Sequence, residues 1–428
     1  MPKVVVIGGG WAGCAAALSA KKAGAEVILV EKTDCLLGTG LVGGIMRNNG
    51  RFTAAEEMIA LGGGDLFRLT DQTSRHTNVE FPGHKHASLY DVALMEPVVA
   101  RYLVEKVVEV WTVSRAQKIK MTGRKIEAVQ LETGQLIEGD VFVDATGTLG
   151  PQGNCRKYGN GCAMCILRCP SFGGRVSIAG LAGVKELRGR RPDGGYGAMS
   201  GSCKLNKDSL APGLVAEMER TGVAVVPVPK ELAEQKSKLL GIKSCQQYAL
   251  KEFAENVVLL DTGHAKLMSP FYPLADLRSI PGLENARYED PYAGGKGNSI
   301  RYLAMSPRDN FLKVEGVDNL FCGGEKAGLL VGHTEAITTG TLAGHNAVRY
   351  VIGKPLLELP RSVAIGDAIA YVREQMQTEE GLMQKYTFSG SVYFERMKEL
   401  ELYTTDVNAI RQRVKEAGLS NVFAQQVL

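Results

Sequence analysis

No stretch of this 428-residue chain approaches the ~18 apolar residues that a membrane-crossing helix requires, so no span is expected. Nor does an apolar leader open it. Pro2-Lys3-Val4-Val5-Val6-Ile7 enters folded structure at once, which argues against a signal peptide and sets the expectation of a cytoplasmic protein. The nine cysteines are then expected as thiols or metal ligands rather than structural disulfides. Charge imbalance is small, +4 from 50 Lys and Arg against 46 Asp and Glu, which permits nucleic-acid binding without arguing for it. Aromatic residues make up only 7% of the chain and are not interleaved with its basic runs, Arg188-Gly-Arg-Arg191 and Lys236-Ser-Lys-Leu-Leu-Gly-Ile-Lys243. Those runs read as solvated faces ahead of nucleic-acid contacts. What remains is an ordinary globular composition, 45% hydrophobic and 22% charged, long enough for two or three domains.

Against these absences the first 31 residues stand out. The run Val4 to Ile7 is dense in β-branched residues and reads as a buried strand. Gly8-Gly9-Gly10-Trp11-Ala12-Gly13 follows at once and fits G-x-G-x-x-G. An alanine-rich helix then runs to Lys22, Gly24 ends it, and a second strand from Glu26 to Val30 stops at Glu31. Each part has a physical task. Gly8 permits the tight turn, Gly10 lets backbone approach a pyrophosphate, and Gly13 lets helix and strand pack closely. The helix N-terminus offers free N–H groups and partial positive charge to the phosphates. Glu31, followed by Lys32, is placed to accept the ribose hydroxyls of an adenosine. A chance glycine-rich turn would leave Glu31 at this spacing unexplained.

A second glycine-rich loop, Gly38-Thr-Gly-Leu-Val-Gly43-Gly44, comes soon after Glu31, where FAD enzymes run chain along the pyrophosphate towards the flavin. Residues 107–144 read as short alternating strands with turns at Gly123 and Gly134. They close on Val141-Phe-Val-Asp-Ala-Thr-Gly147, which looks like the return strand of flavoproteins with the two-dinucleotide-binding-domain fold. No second strand–GxGxxG–helix unit is visible, so a separate module for NAD(P)H is not expected. Late in the chain, Leu320 to Cys322 reads as a strand entering Gly323-Gly324-Glu325, and Gly332-His333-Thr334 opens a helix that continues through Gly340 and Gly344. That helix N-terminus can stabilise negative charge on a reduced flavin or a phosphate. His333 sits next to the flavin loop and is a catalytic candidate, whereas His84 and His86 read as a polar loop. Cys14 and Cys322 read as core thiols.

Several of these segments resemble a known family. Gly10-Trp-Ala-Gly-Cys14, Ala60-Leu-Gly-Gly63, Ala145-Thr-Gly-Thr148, Ile280-Pro-Gly-Leu-Glu-Asn-Ala286, the Leu320–Ala336 loop and Gly344-His-Asn-Ala-Val-Arg349 are similar to the flavin-dependent tRNA uridine-modifying enzymes. These comprise the glucose-inhibited division protein A group and the folate- and FAD-dependent tRNA uracil methyltransferases. Ala364-Ile-Gly-Asp-Ala-Ile-Ala-Tyr371 and Tyr386-Thr-Phe-Ser-Gly390 resemble the methyltransferases' helical tail. The resemblance implies an FAD fold and tRNA among the partners. It also shows departures: Gly40 to Gly50 has no cysteine where the methyltransferases carry one, and Glu325 replaces their usual Gln. The middle, about 150 to 270, matches neither group.

That middle holds Cys155, Cys162, Cys165 and Cys169-Pro170, a C-x6-C-x2-C-x3-C-P run. Its last three cysteines and proline have the spacing of a ferredoxin-type [4Fe–4S] site. A Cys162/Cys165 dithiol acting in redox catalysis, an all-cysteine zinc site and plainly packed thiols are the alternatives, and Cys203 or Cys245 could replace Cys155. The sequence thus predicts an α/β, Rossmann-like FAD fold over residues 1–150 and 270–354, an inserted cysteine-containing domain over 151–269, and a small helical domain over 355–428. The predicted activity is FAD-dependent oxidoreductase chemistry related to tRNA uridine modification; the alternative is an iron–sulfur flavoprotein serving a small molecule or redox partner. Expected FAD ligands are Gly8, Gly10, Gly13, Glu31, Lys32, Gly38, Gly43, Gly147, Gly324, Glu325, Gly332 and Thr334. Whether NAD(P)H or folate takes part, and the oligomeric state, are left open.

Overall fold

The computed structural model describes residues 1–147, 176–200, 203–243, 245–268, 272–289 and 299–428. The β-branched run forms β1 (Lys3–Ile7), the glycine turn leads into α1 (Trp11–Lys22), and β2 (Glu26–Val30) follows. Later strands β3 (Glu109–Trp111), β4 (Val141–Asp144) and β5 (Leu320–Cys322) join them in a parallel sheet ordered β5-β4-β1-β2-β3. Val4, Val5 and Val6 have no exposed surface, as expected where a parallel sheet is covered on both faces. The register Ile7↔Asp144 sets Ala145 to Gly147 beside the first glycine turn.

One cover is a pair of helices, α1 and α2 (His333–Val351). The alanines of α1 are small enough to let α2 come down onto its backbone. At the far edge the strands Ala116–Thr122, Lys125–Leu131 and Leu136–Glu138 form an antiparallel meander. Asn319 ties it to the sheet by donating to the carbonyls of Ile126 and Asp140 and accepting from the Ile126 N–H.

A second body is antiparallel. The strands Cys203–Leu205, Ala265–Leu267, Asn256–Asp261 and Val223–Pro227 form one sheet in that order. The hairpin Ser74–Phe81 with His84–Tyr90, flanked by Ile45–Met46, forms another. One hydrophobic cluster joins the two, with Phe81, Leu89, Tyr248, Phe253 and Leu260 among its members. Asp261 clamps the junction, receiving Arg75, His76 and Lys207. The core beneath the larger sheet also draws on Tyr272, Leu277, Ile280 and Ala286, beyond residue 269.

The C-terminal helices Ala364–Gln375, Ser391–Glu399 and Val407–Glu416 pack back onto the helix Gly50–Ala60. The junction is polar and buried: Glu57 accepts the N–H groups of Ala364 and Ile365 and faces Arg413. Among the described residues no helix is long and apolar enough to cross a membrane.

Candidate functional site

The turn between β1 and α1 is built for close backbone approach. Gly8 has φ +104°, a conformation other residues rarely adopt, and a Cβ there would strike the Ala145 carbonyl. A Cβ on Gly13 would overlap the Gly8 carbonyl, so this glycine sets how near helix lies to strand. A Cβ on Gly10 meets nothing within 4 Å. Gly10 lines a cleft of about 1660 Å³ of space, part of it open to solvent.

Glu31 closes one end of that cleft. It is only 8% exposed, and accepts from the Gly9 N–H at 2.7 Å and the Thr33 N–H at 2.9 Å. Those bonds fix the carboxylate beside the turn and leave lone pairs for a ribose diol. The glycine-rich loop after β2 coils as a short 3₁₀ turn, Gly38–Val42, stitched to the first turn by Leu37 N–H to Gly9 O at 2.7 Å.

The opposite wall is the N-terminus of α2. Gly332 has φ +152°, and a Cβ there would collide with the Arg51 guanidinium and the Glu335 carboxylate. Arg51 and Glu335 form a buried ion pair at 3.2 Å. Glu335 also accepts from Thr387 Oγ1 at 2.6 Å and the Phe388 N–H at 2.8 Å, and Arg51 donates to the Val331 carbonyl. The pair sets the backbone at the helix start. His333 lies against Gly43, and its ring centroid is 5.8 Å from that of Trp11. Tyr90 donates to Gly40 O at 2.9 Å and stands 3.4 Å from His333 Nδ1.

Of the residues predicted from sequence, Gly8, Gly10, Glu31, Lys32, Gly38, Gly43, Gly147, Gly324, Glu325, Gly332 and His333 line this one cleft. Gly13 and Thr334 do not. Gly13 packs on the strand, and Thr334 is buried with its Oγ1 3.8 Å from Met46 Sδ. Cys155, Cys162, Cys165 and Cys169 lie outside the described residues. Among the described residues no group of three or more His, Cys, Asp or Glu could hold a metal ion. Cys14 is buried with its thiol pushed up by desolvation, and Cys322 likewise, to about 12. His84 is enclosed between Asn48, Asn49 and the Gln247 carbonyl, and burial pushes it down to about 3. His86 pairs with Asn78 at 3.0 Å.

The basic runs diverge. Arg188, Arg190 and Arg191 pair with Glu186, Glu379 and Asp193. The run from Lys236 to Lys243 is a solvated face only in part: Lys238 is exposed, whereas Lys236 and Lys243 are 5% and 4% exposed, and Lys243 lines the cleft. With Arg51, Cys245, Gln247, Tyr248, Lys266 and Met268 it makes a wall that sequence reasoning missed. These residues come from three separate segments and share no local motif. The Tyr386-Thr-Phe-Ser-Gly390 stretch was visible, but nothing in it announced Glu335 as its partner.

A family model described as "Glucose inhibited division protein A" matches residues 3–219 and 267–355. The chain is similar to the tRNA uridine 5-carboxymethylaminomethyl modification enzyme MnmG of Chlorobaculum tepidum, 35% identical over 115 residues, covering 26% of this chain and 18% of that protein. It is also similar to the methylenetetrahydrofolate–tRNA-(uracil-5-)-methyltransferase TrmFO of Caldicellulosiruptor bescii, 36% identical over 95 residues, covering 22% of this chain and 21% of the other. The matched stretches thus span about a fifth of these relatives' lengths. Among solved structures, Aquifex aeolicus GidA in its form II crystal superposes with TM-score 0.70 at 17% identity, covering 99% of this chain and 73% of that one. Its form I crystal gives 0.63 at 17% identity, covering 97% and 78%.

Proposed function

Since the chain belongs to the glucose inhibited division protein A family, we propose that it is an FAD-dependent enzyme of tRNA uridine modification, with the cofactor in the cleft at the N-termini of α1 and α2. The observation that carries the FAD reading is the convergence of two helix N-termini and one buried acid on a single cleft. The open space at Gly10 leaves room for a pyrophosphate against backbone, which a Cβ would fill. The first N–H groups of α1 are directed at that space, and Glu31 accepts the ribose hydroxyls. The start of α2, held by Gly332 and the Arg51–Glu335 pair, lies at the cleft and favours negative charge there. His333, flanked by Trp11 and Tyr90, holds or passes a proton at its imidazole beside that charge. FAD, when bound, supplies hydride and electron transfer to the substrate side. The tRNA reading is supported by what the relatives named above act on.

Two measurements test it. Purified protein is expected to be yellow and to release FAD rather than FMN on denaturation. Total tRNA from a host lacking the gene is expected to lose one uridine modification by nucleoside mass spectrometry. An unchanged set of uridine modifications would remove the tRNA assignment.

A further inference from the structure

Two lysines stand directly opposite one another in the second body, Lys204 on Cys203–Leu205 and Lys266 on Ala265–Leu267. Like charges in that relation repel and weaken a sheet unless something answers them. Lys266 donates to the Val42 carbonyl at 2.6 Å and Lys204 to that of Leu41 at 3.1 Å, so both reach the glycine-rich turn bordering the cleft. Lys243 comes to the same wall and donates to the Met268 carbonyl at 2.5 Å. Lys243 and Lys266 line the cleft, yet are 4% and 5% exposed. An ammonium carries three donors, and each of these spends one on a protein carbonyl. Among the described residues none of the three makes an ion pair. Arg51, which also lines the cleft, is already answered by Glu335.

Asp91 and Glu289 bear on Lys204, but among the described residues no carboxylate answers Lys243 or Lys266, and stapling a loop does not require two such cations side by side. Buried ionic groups are retained where they are paired or where a ligand pairs them. We propose that Lys243 and Lys266, with Lys204 behind them, form an oxyanion site for a carboxylate or phosphate group, and that the molecule occupying the Val42 end of the cleft is an anion. Desolvation and the neighbouring ammonium groups push Lys266 down to about 7, and burial brings Lys243 to about 8, the behaviour of cations short of a counter-charge. The site lies on the side of the cleft away from Glu31, and rests on the FAD reading only for the assignment of that other side.

The test uses flavin-loaded full-length protein, titrated calorimetrically with inorganic phosphate and, separately, with glutarate. At least one is expected to bind. Lys243→Met and Lys266→Met should each weaken it about tenfold or more, since a hydrogen bond to a charged group is lost, while flavin content stays unchanged. Lys266→Arg should retain most of the affinity. Tighter binding of phosphate assigns the site to a phosphate-bearing ligand, tighter binding of glutarate to a small acid. A second measurement needs no variant: the bound anion should slow acylation of Lys266 in the wild-type protein at least fivefold, read by peptide mass spectrometry. The site is overturned if neither anion binds flavin-loaded protein, or if the methionine variants bind as the wild type does. Absence of flavin from the purified protein would instead overturn the cofactor reading, so the two failures are separable.

Discussion

A Cβ placed on Gly340 would run into the carbonyl oxygen of Ala12, and one on Gly344 into that of Ala16, one turn further along. The two helices whose N-termini face the cleft are therefore in backbone contact, locked by glycine on one and alanine on the other. Substituting Gly340 by Leu should push α2 off α1. Overpacking of this kind costs about 1–3 kcal/mol, and more where backbone must move. The expected outcome is a lower Tm together with loss of bound flavin, both measurable on one sample by fluorescence during a thermal ramp.

Gly10 is the opposite case. Its φ of −68° and ψ of −178° suit any residue, and a Cβ there meets nothing within 4 Å. Gly10→Val should fold with an unchanged Tm in the absence of cofactor, yet purify nearly colourless. The absorbance ratio at 450 and 280 nm separates this outcome from misfolding. A variant retaining stoichiometric FAD would contradict backbone approach to the pyrophosphate.

Removing one partner of the Arg51–Glu335 pair leaves an unanswered charge in a dry site. Arg51→Met should cost about 3–5 kcal/mol, the usual penalty for breaking a buried pair. The double variant Arg51→Met/Glu335→Gln should recover part of that loss. Urea midpoints of these two, of Glu335→Gln and of the wild type decide the point; single losses that add up to the loss in the double variant would show that the pair is not coupled.

Stability should fall as the solution is made acidic, in two windows. Burial holds His84 at about 3 and His345 at about 4, below the ordinary 6.5. The unfolded chain therefore takes up these protons first, so their contribution is present above pH 6.5 and is lost as pH falls below it. The slope is at most about 1.4 kcal/mol per pH unit for each group. Asp261, held near 2 against burial by His76, Lys207 and Arg75, adds a second loss that begins only below its ordinary 3.8. Urea unfolding between pH 7 and pH 3 should show the first slope reduced in His84→Gln and the second absent in Asp261→Asn.

The cofactor half was legible from sequence because its signals are local. β1, the glycine turn, α1, β2 and Glu31 occupy 29 consecutive residues, and each element's pattern predicts the next one's place. The return strand Val141–Asp144 and the strand–loop–helix at Leu320 carried the same signature. The lysine-bearing wall was not legible. Lys243 looked like one cation in a surface run, and only the packing of Tyr248 and Phe253 over it reveals that it is interior. Thr334 is expected at the cofactor because the helix opens there with its N-terminus at the flavin. Helical geometry turns its side chain to the other face, towards Met46.

The hydrogen bonds from Thr387 and Phe388 to Glu335 tie the C-terminal region to the wall of the cleft. The acid that steadies the start of α2 depends on donors synthesised some fifty residues later. Arg51 donates to Thr387 Oγ1 as well as to the Val331 carbonyl, so three stretches far apart in the chain meet at the start of α2 and any one of them can disturb the other two.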